Sequence, residues 1–66
     1  MTLIVNGEAS EIETPVTITE LLAAMDVPKR GVAVAVDGEV VPRSTWEAYA
    51  LIDGTRVEVL TAVQGG

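Results

Sequence analysis

Few groups in this sequence can do chemistry, and the strongest candidate is not a side chain. None of the 66 residues is a cysteine or a histidine. The chain therefore offers no thiolate nucleophile, no imidazole base, no disulfide framework and no His/Cys metal set. What remains is the terminal run Gln64-Gly65-Gly66, a carboxylate on a stalk whose last two residues carry no Cβ. From Ala62 to Gly66 such a stalk reaches roughly 13 Å when extended at about 3.3 Å per residue. That shape suits delivery of one carboxylate down a narrow channel into another protein's active site. Gly66 would present the reacting carbon, and Gln64 and Gly65 would thread the channel behind it. An ordinary frayed terminus is the other reading, since chain ends are commonly disordered.

Composition narrows the partners. Ten acidic residues against four basic ones leave a net charge of −6. Nucleic acid and anionic membranes are poor matches, because neutralising phosphate takes Lys and Arg. A basic protein surface fits better, with steering that weakens as salt rises. No apolar run reaches the length of a membrane span and no signal peptide precedes the first strand, so the expected compartment is the cytoplasm. One small domain over 1–66 is expected, with 61–66 as strand end and tail. A chain of this size buries only about 60% of its unfolded surface, so regular elements must supply its stability.

The elements that position the tail can be read in order. Thr2-Leu3-Ile4-Val5 runs into Asn6-Gly7, a strong two-residue hairpin signal, and Ala9 to Glu13 is the return strand, with Ile12 pointing inward. Glu8, Glu11 and Glu13 read as its solvated face rather than as metal ligands. Pro15 ends that strand. Thr17-Ile18-Thr19-Glu20 has the form of a capping box, and Ile18, Leu21, Leu22 and Met25 make one apolar helical stripe. Pro28 is expected to stop the helix. Lys29 and Arg30 suit either an acidic partner or the negative end of the helix dipole. Gly31 to Val36 reads as a strand buried on both faces and hence central. Asp37-Gly38 is a second tight turn, Glu39-Val40-Val41 a short return strand, and Pro42 the mark of an edge.

A second capping box, Ser44 with Glu47, would start a single helical turn. In it Trp46 and Leu51 would cover one end of the core; a ligand-binding Trp46 is the weaker reading. Asp53-Gly54 turns into the last strand, where Val57 and Val59 alternate with Arg56 and Glu58. If the two valines face the core, alternation puts Leu60 and Ala62 on the other face. There Leu60, with Ala62 and Glu58, is either part of a partner-docking surface or an isolated exposed leucine. The order β-β-α-β-β-(turn)-β is that of an α+β, ubiquitin-like β-grasp domain. Its mixed sheet of about five strands would lie over one main helix, with the first and last strands parallel at the centre and a flexible Gly-Gly tail beyond.

Three blocks carry a more specific resemblance: Val5-Asn6-Gly7-Glu8, the run Gly31 to Ser44 with Trp46, and Asp53-Gly54 leading through Val57-Glu58-Val59 to Gly65-Gly66. Together they resemble the ThiS family, the sulfur carriers of thiamine biosynthesis. Two departures, Asp37 for the commoner Asn and Thr55 for an acidic residue, fall at expected turn positions. The resemblance implies that an E1-like adenylyltransferase of the ThiF type adenylates the Gly66 carboxylate at the expense of ATP. A sulfur donor would then convert it to a thiocarboxylate, and thiazole synthase of the ThiG type would take the sulfur. On this reading the chain is a protein co-substrate and not an enzyme, and it binds no cofactor of its own. The absent cysteine agrees, since no side chain here could hold a transferable sulfide. A carrier for molybdopterin or cysteine synthesis, or a non-covalent β-grasp interaction module, is the alternative.

Overall fold

The computed structural model describes residues 1–13, 16–28 and 30–61. Strand β1 (Thr2–Val5) turns through Asn6 and Gly7, with φ of 52° and 85°, into β2 (Glu8–Glu11). Positive φ at both positions is the type I′ geometry that Asn-Gly favours. β2 starts one residue earlier than the sequence suggests, because a two-residue turn pairs Val5 directly with Glu8. Pairing continues past its end, where the Ile12 N–H donates to the Met1 carbonyl at 2.7 Å. Pro15, expected to end this strand, lies outside the described residues.

The helix α1 (Ile18–Ala24) begins with the reciprocal cap expected from Thr17 and Glu20. The Glu20 N–H donates to Thr17 Oγ1 at 3.2 Å and the Thr17 N–H to Glu20 Oε1 at 2.9 Å. Ile18, Leu21 and Leu22 are buried and Met25 is partly so. The helix stops before Pro28 is reached. Asp26 takes the left-handed conformation at φ 61°, its N–H donates to Ala23 O at 3.1 Å, and the Val27 N–H donates to Leu22 O at 3.0 Å. This pair of bonds is a Schellman closure, here with aspartate where glycine is usual. No basic residue lies in the last turn, so the described cation Arg30 does not cap the dipole from within the helix.

Strands β3 (Val32–Val36) and β4 (Glu39–Val40) form the second hairpin, turning through Asp37 and Gly38 with φ of 50° and 89°. β5 (Arg56–Thr61) completes a five-stranded sheet of order β2-β1-β5-β3-β4. β1 and β5 are parallel neighbours, and β5 is the central strand. β3 is interior as expected, though next to the middle strand rather than being it, and its burial on both faces is broken only at the exposed Ala33. On the outward face Ala35 is covered and only Ala33 is open, and because that open position is an alanine the whole strand reads as an apolar run. Pro42 follows the edge strand β4 as expected.

The expected Ser44–Glu47 cap does not form. Arg43–Thr45 is a 3₁₀ turn with Pro42 at its N-cap and no side-chain cap bond. Thr45 Oγ1 instead donates to the Pro42 carbonyl at 2.9 Å. Trp46 and Leu51 are core residues, and the Trp46 indole N–H donates to Val41 O at 3.0 Å. Thr55 closes the turn after Ile52 and is itself buried. Helix and 3₁₀ turn cover the inner face of the sheet. The core there gathers Leu3, Val5, Val34, Val36, Val57 and Val59 from the strands against Ile18, Leu21, Leu22, Trp46 and Leu51.

Candidate functional site

The site is β5 and the chain that leaves it. Val57 and Val59 enter the core while Arg56, Glu58 and Leu60 are exposed, so the strand is anchored by alternate side chains along one face. Both edges are held as well. β3 pairs with it antiparallel from Val36↔Val57 to Val32↔Thr61, and β1 pairs with it parallel at Ile4↔Arg56 and Val5↔Val57. The last rung, at Thr61, fixes the point from which the tail departs. Ala62, Gln64, Gly65 and Gly66 lie outside the described residues.

Asn6 lengthens the parallel pairing beyond the end of β1. Its N–H donates to Val57 O at 2.9 Å, as the next rung of a parallel ladder requires. The reciprocal bond from Val59 N–H ends on Asn6 Oδ1 at 2.8 Å, not on the main-chain carbonyl. In the left-handed turn that carbonyl is aimed away, and the side-chain amide oxygen replaces it. Asp37 does similar work at the start of the strand: its N–H donates to Arg56 O at 2.8 Å and its Oδ1 accepts from Arg56 N–H at 3.2 Å. Neither anchoring role is visible in sequence, where Asn6 and Asp37 signal turns and nothing about a strand some fifty or twenty positions away.

Leu60 and Glu58 stand together on the sheet face opposite the helix, as the alternation implies. Leu60 is 59% exposed. Its cross-strand partner is Ala33, and Glu58 is opposite Ala35, which in turn pairs with Val40, 73% exposed. A shallow groove lined by Gly31, Val32, Ala33, Arg43, Leu60 and Thr61 runs beside the last described rung. The Arg43 guanidinium also lies over the Trp46 ring, 5.9 Å from its centroid. The docking candidate thus gains Ala33 opposite Leu60, Val40 next to Ala35 on the Glu58 side, and Arg43 from the 3₁₀ turn across the groove. Sequence reasoning missed all three because they are brought together by register and by a distant turn. Among the described residues no helix is long and apolar enough to cross a membrane.

A mixed five-stranded sheet over one helix, with β5 at its centre and parallel to β1, defines a ubiquitin-like β-grasp domain. The ThiS family model matches residues 3–66, and the chain belongs to the ThiS family. It is 29% identical to the sulfur carrier protein ThiS of Escherichia coli, over 66 residues and the full length of both chains. It is also 35% identical over 66 residues to a thiazole synthase of Paramagnetospirillum magneticum, of which it spans only 20%. The crystal structure of the thiamine biosynthesis protein ThiS from Geobacter metallireducens superposes with a TM-score of 0.86 at 38% identity, covering both chains completely. The solution structure from the same organism gives 0.85 over 88% of that chain.

Proposed function

We propose that this chain is the sulfur carrier of thiamine biosynthesis, with Gly66 as the residue that is modified. The observation that carries this reading is that the family match runs through position 66, so the Gly-Gly segment belongs to the matched region. The relatedness to a segment of a thiazole synthase supports the thiamine branch over other sulfur-carrier pathways. In the proposed sequence a Gly66 carboxylate oxygen attacks the α-phosphorus of ATP on an E1-like enzyme of the ThiF type, and pyrophosphate leaves. The resulting mixed anhydride has AMP as leaving group, which the free carboxylate lacks. A sulfide equivalent from a sulfur donor attacks the carbonyl carbon, AMP departs with the bonding pair, and a thiocarboxylate remains for thiazole synthase to consume.

This chain contributes the substrate terminus and the surface that presents it, and the catalytic groups belong to the partners. The core anchors β5, the Thr61 rung fixes the departure point, and Leu60 with Glu58 supplies the docking contact nearest the tail. Intact-mass spectrometry after incubation with the activating enzyme, ATP and a sulfur source tests the reading directly. One terminal oxygen is replaced by sulfur in the full chain and none in a chain lacking Gly65 and Gly66. If the full chain never gains sulfur, the domain is a non-covalent binding module.

A further inference from the structure

The edge strand β2 and the groove beside it form a second surface, separate from the tail strand. β2 pairs with β1 alone among the described residues, and β1 separates it from β5. The hydrogen-bond phase of the hairpin shows which backbone groups of β2 point away from β1. Met1 and Ile12 exchange both bonds, Ile12 N–H to Met1 O at 2.7 Å and Met1 N to Ile12 O at 2.8 Å. By antiparallel alternation Leu3–Ser10 and Val5–Glu8 are bonded pairs too, while Ile4–Ala9 and Thr2–Glu11 are not. Ala9 and Glu11 therefore turn their N–H and C=O groups away from β1, towards the open edge.

Beside that edge, on the helix side, lies a groove between β2 and α1. Val5 and Leu21 form its floor, Ile12 and Met25 its partly buried walls, and Glu8 and Ser10 its strand-side rim. A strand added at the edge would hydrogen-bond Ala9 and Glu11 and place alternate side chains over this apolar floor. Its intervening side chains would fall on the outer face beside Glu11, whose Oε2 accepts from Thr2 Oγ1 at 2.8 Å and retains further acceptor capacity. Acidic residues on an edge discourage pairing with a second copy, since Glu would meet Glu. The same charges favour a strand that carries Lys or Arg.

We propose that β2 and the β2–α1 groove bind an extended peptide segment of a partner protein by strand addition, the segment alternating apolar and basic residues. The site lies across β1 from β5, so it can be occupied while the tail is engaged elsewhere, and it does not depend on the carrier reading. The test titrates the isotope-labelled full chain with a blocked synthetic peptide alternating valine and lysine, and with its valine–glutamate counterpart. Amide shifts should concentrate at Ala9 and Glu11 with methyl shifts at Leu21 and Met25, and exchange at those two amides should slow. The glutamate peptide should bind about tenfold more weakly, as like charges across a strand pair predict. Ala9→Pro removes the free edge donor without touching a β1 bond and should abolish the shifts; Glu11→Lys, a surface change, should weaken binding should the proline variant fail to fold. No binding at the edge, shifts centred on Leu60 and Ala33, or equal affinity for both peptides would overturn the proposal.

Discussion

At the scale of single residues, Asn6 shows how one side chain serves both a turn and the site. Its left-handed φ closes the first hairpin, and its amide oxygen holds Val59 N–H in the strand that carries the tail. Glycine tolerates the same φ but has no acceptor, so Asn6→Gly isolates the bond from the conformation. That variant should lose about 1 kcal/mol in denaturant unfolding, the usual net worth of one hydrogen bond. Hydrogen exchange at the Val59 amide should accelerate, while Asn6→Asp, which keeps an acceptor, should exchange nearly as the parent does. Unchanged exchange in Asn6→Gly would show that the bond does not restrain β5. Leu22 is the contrasting case, a residue with packing and nothing else. It is 1% exposed, and Leu22→Ala should cost about 2–5 kcal/mol by chemical denaturation, a large share of what a small domain possesses.

At the scale of elements, β5 divides its residues between two faces, and the faces have separate roles. Leu60→Asp should leave the melting temperature close to that of the parent, because Leu60 contributes nothing to the core cluster. If the outer face docks the adenylating enzyme, the same substitution should weaken that complex in a calorimetric titration; unchanged affinity would remove Leu60 from the interface. This division of β5 was legible in the sequence because Val57 and Val59 are separated by charged residues. The helix was legible for a similar reason, its apolar stripe and its Thr17–Glu20 cap both being local patterns. What the sequence concealed is non-local. Alanine at 33 disguised an exposed outward position as core, and the expected Ser44 cap lost to a 3₁₀ turn that follows Pro42. The helix ended on Asp26, whose left-handed backbone has a weaker sequence signal than the nearby proline. The register that puts Ala33 beside Leu60 depends on how two hairpins meet, which no window of consecutive residues records.

At the scale of the whole molecule, stability and the proposed chemistry fall in different parts of the chain. Every core residue among those described lies between Leu3 and Val59, while the proposed reacting carbon is at Gly66. A net charge of −6 gives the folded part a long-range attraction for a basic partner. Association with the activating enzyme should therefore slow as ionic strength rises and the Debye length shrinks from about 10 Å at 0.1 M towards 3 Å at 1 M. A salt-independent association rate in stopped flow would dismiss that steering. Removing Gly65 and Gly66 tests the division itself. The melting temperature should stay nearly unchanged and sulfur incorporation should vanish. Gly65→Ala should fold normally and be a poor substrate, because a Cβ widens the stalk and narrows its φ/ψ range. Gly66→Ala is the finer probe, since it keeps a terminal carboxylate and sets a methyl beside the carbon to be adenylated. If Gly66→Ala is thiolated as fast as the parent, the partner's channel tolerates a side chain at the reacting residue. The steric account of the terminal glycine would then be wrong, even though the carrier chemistry stood.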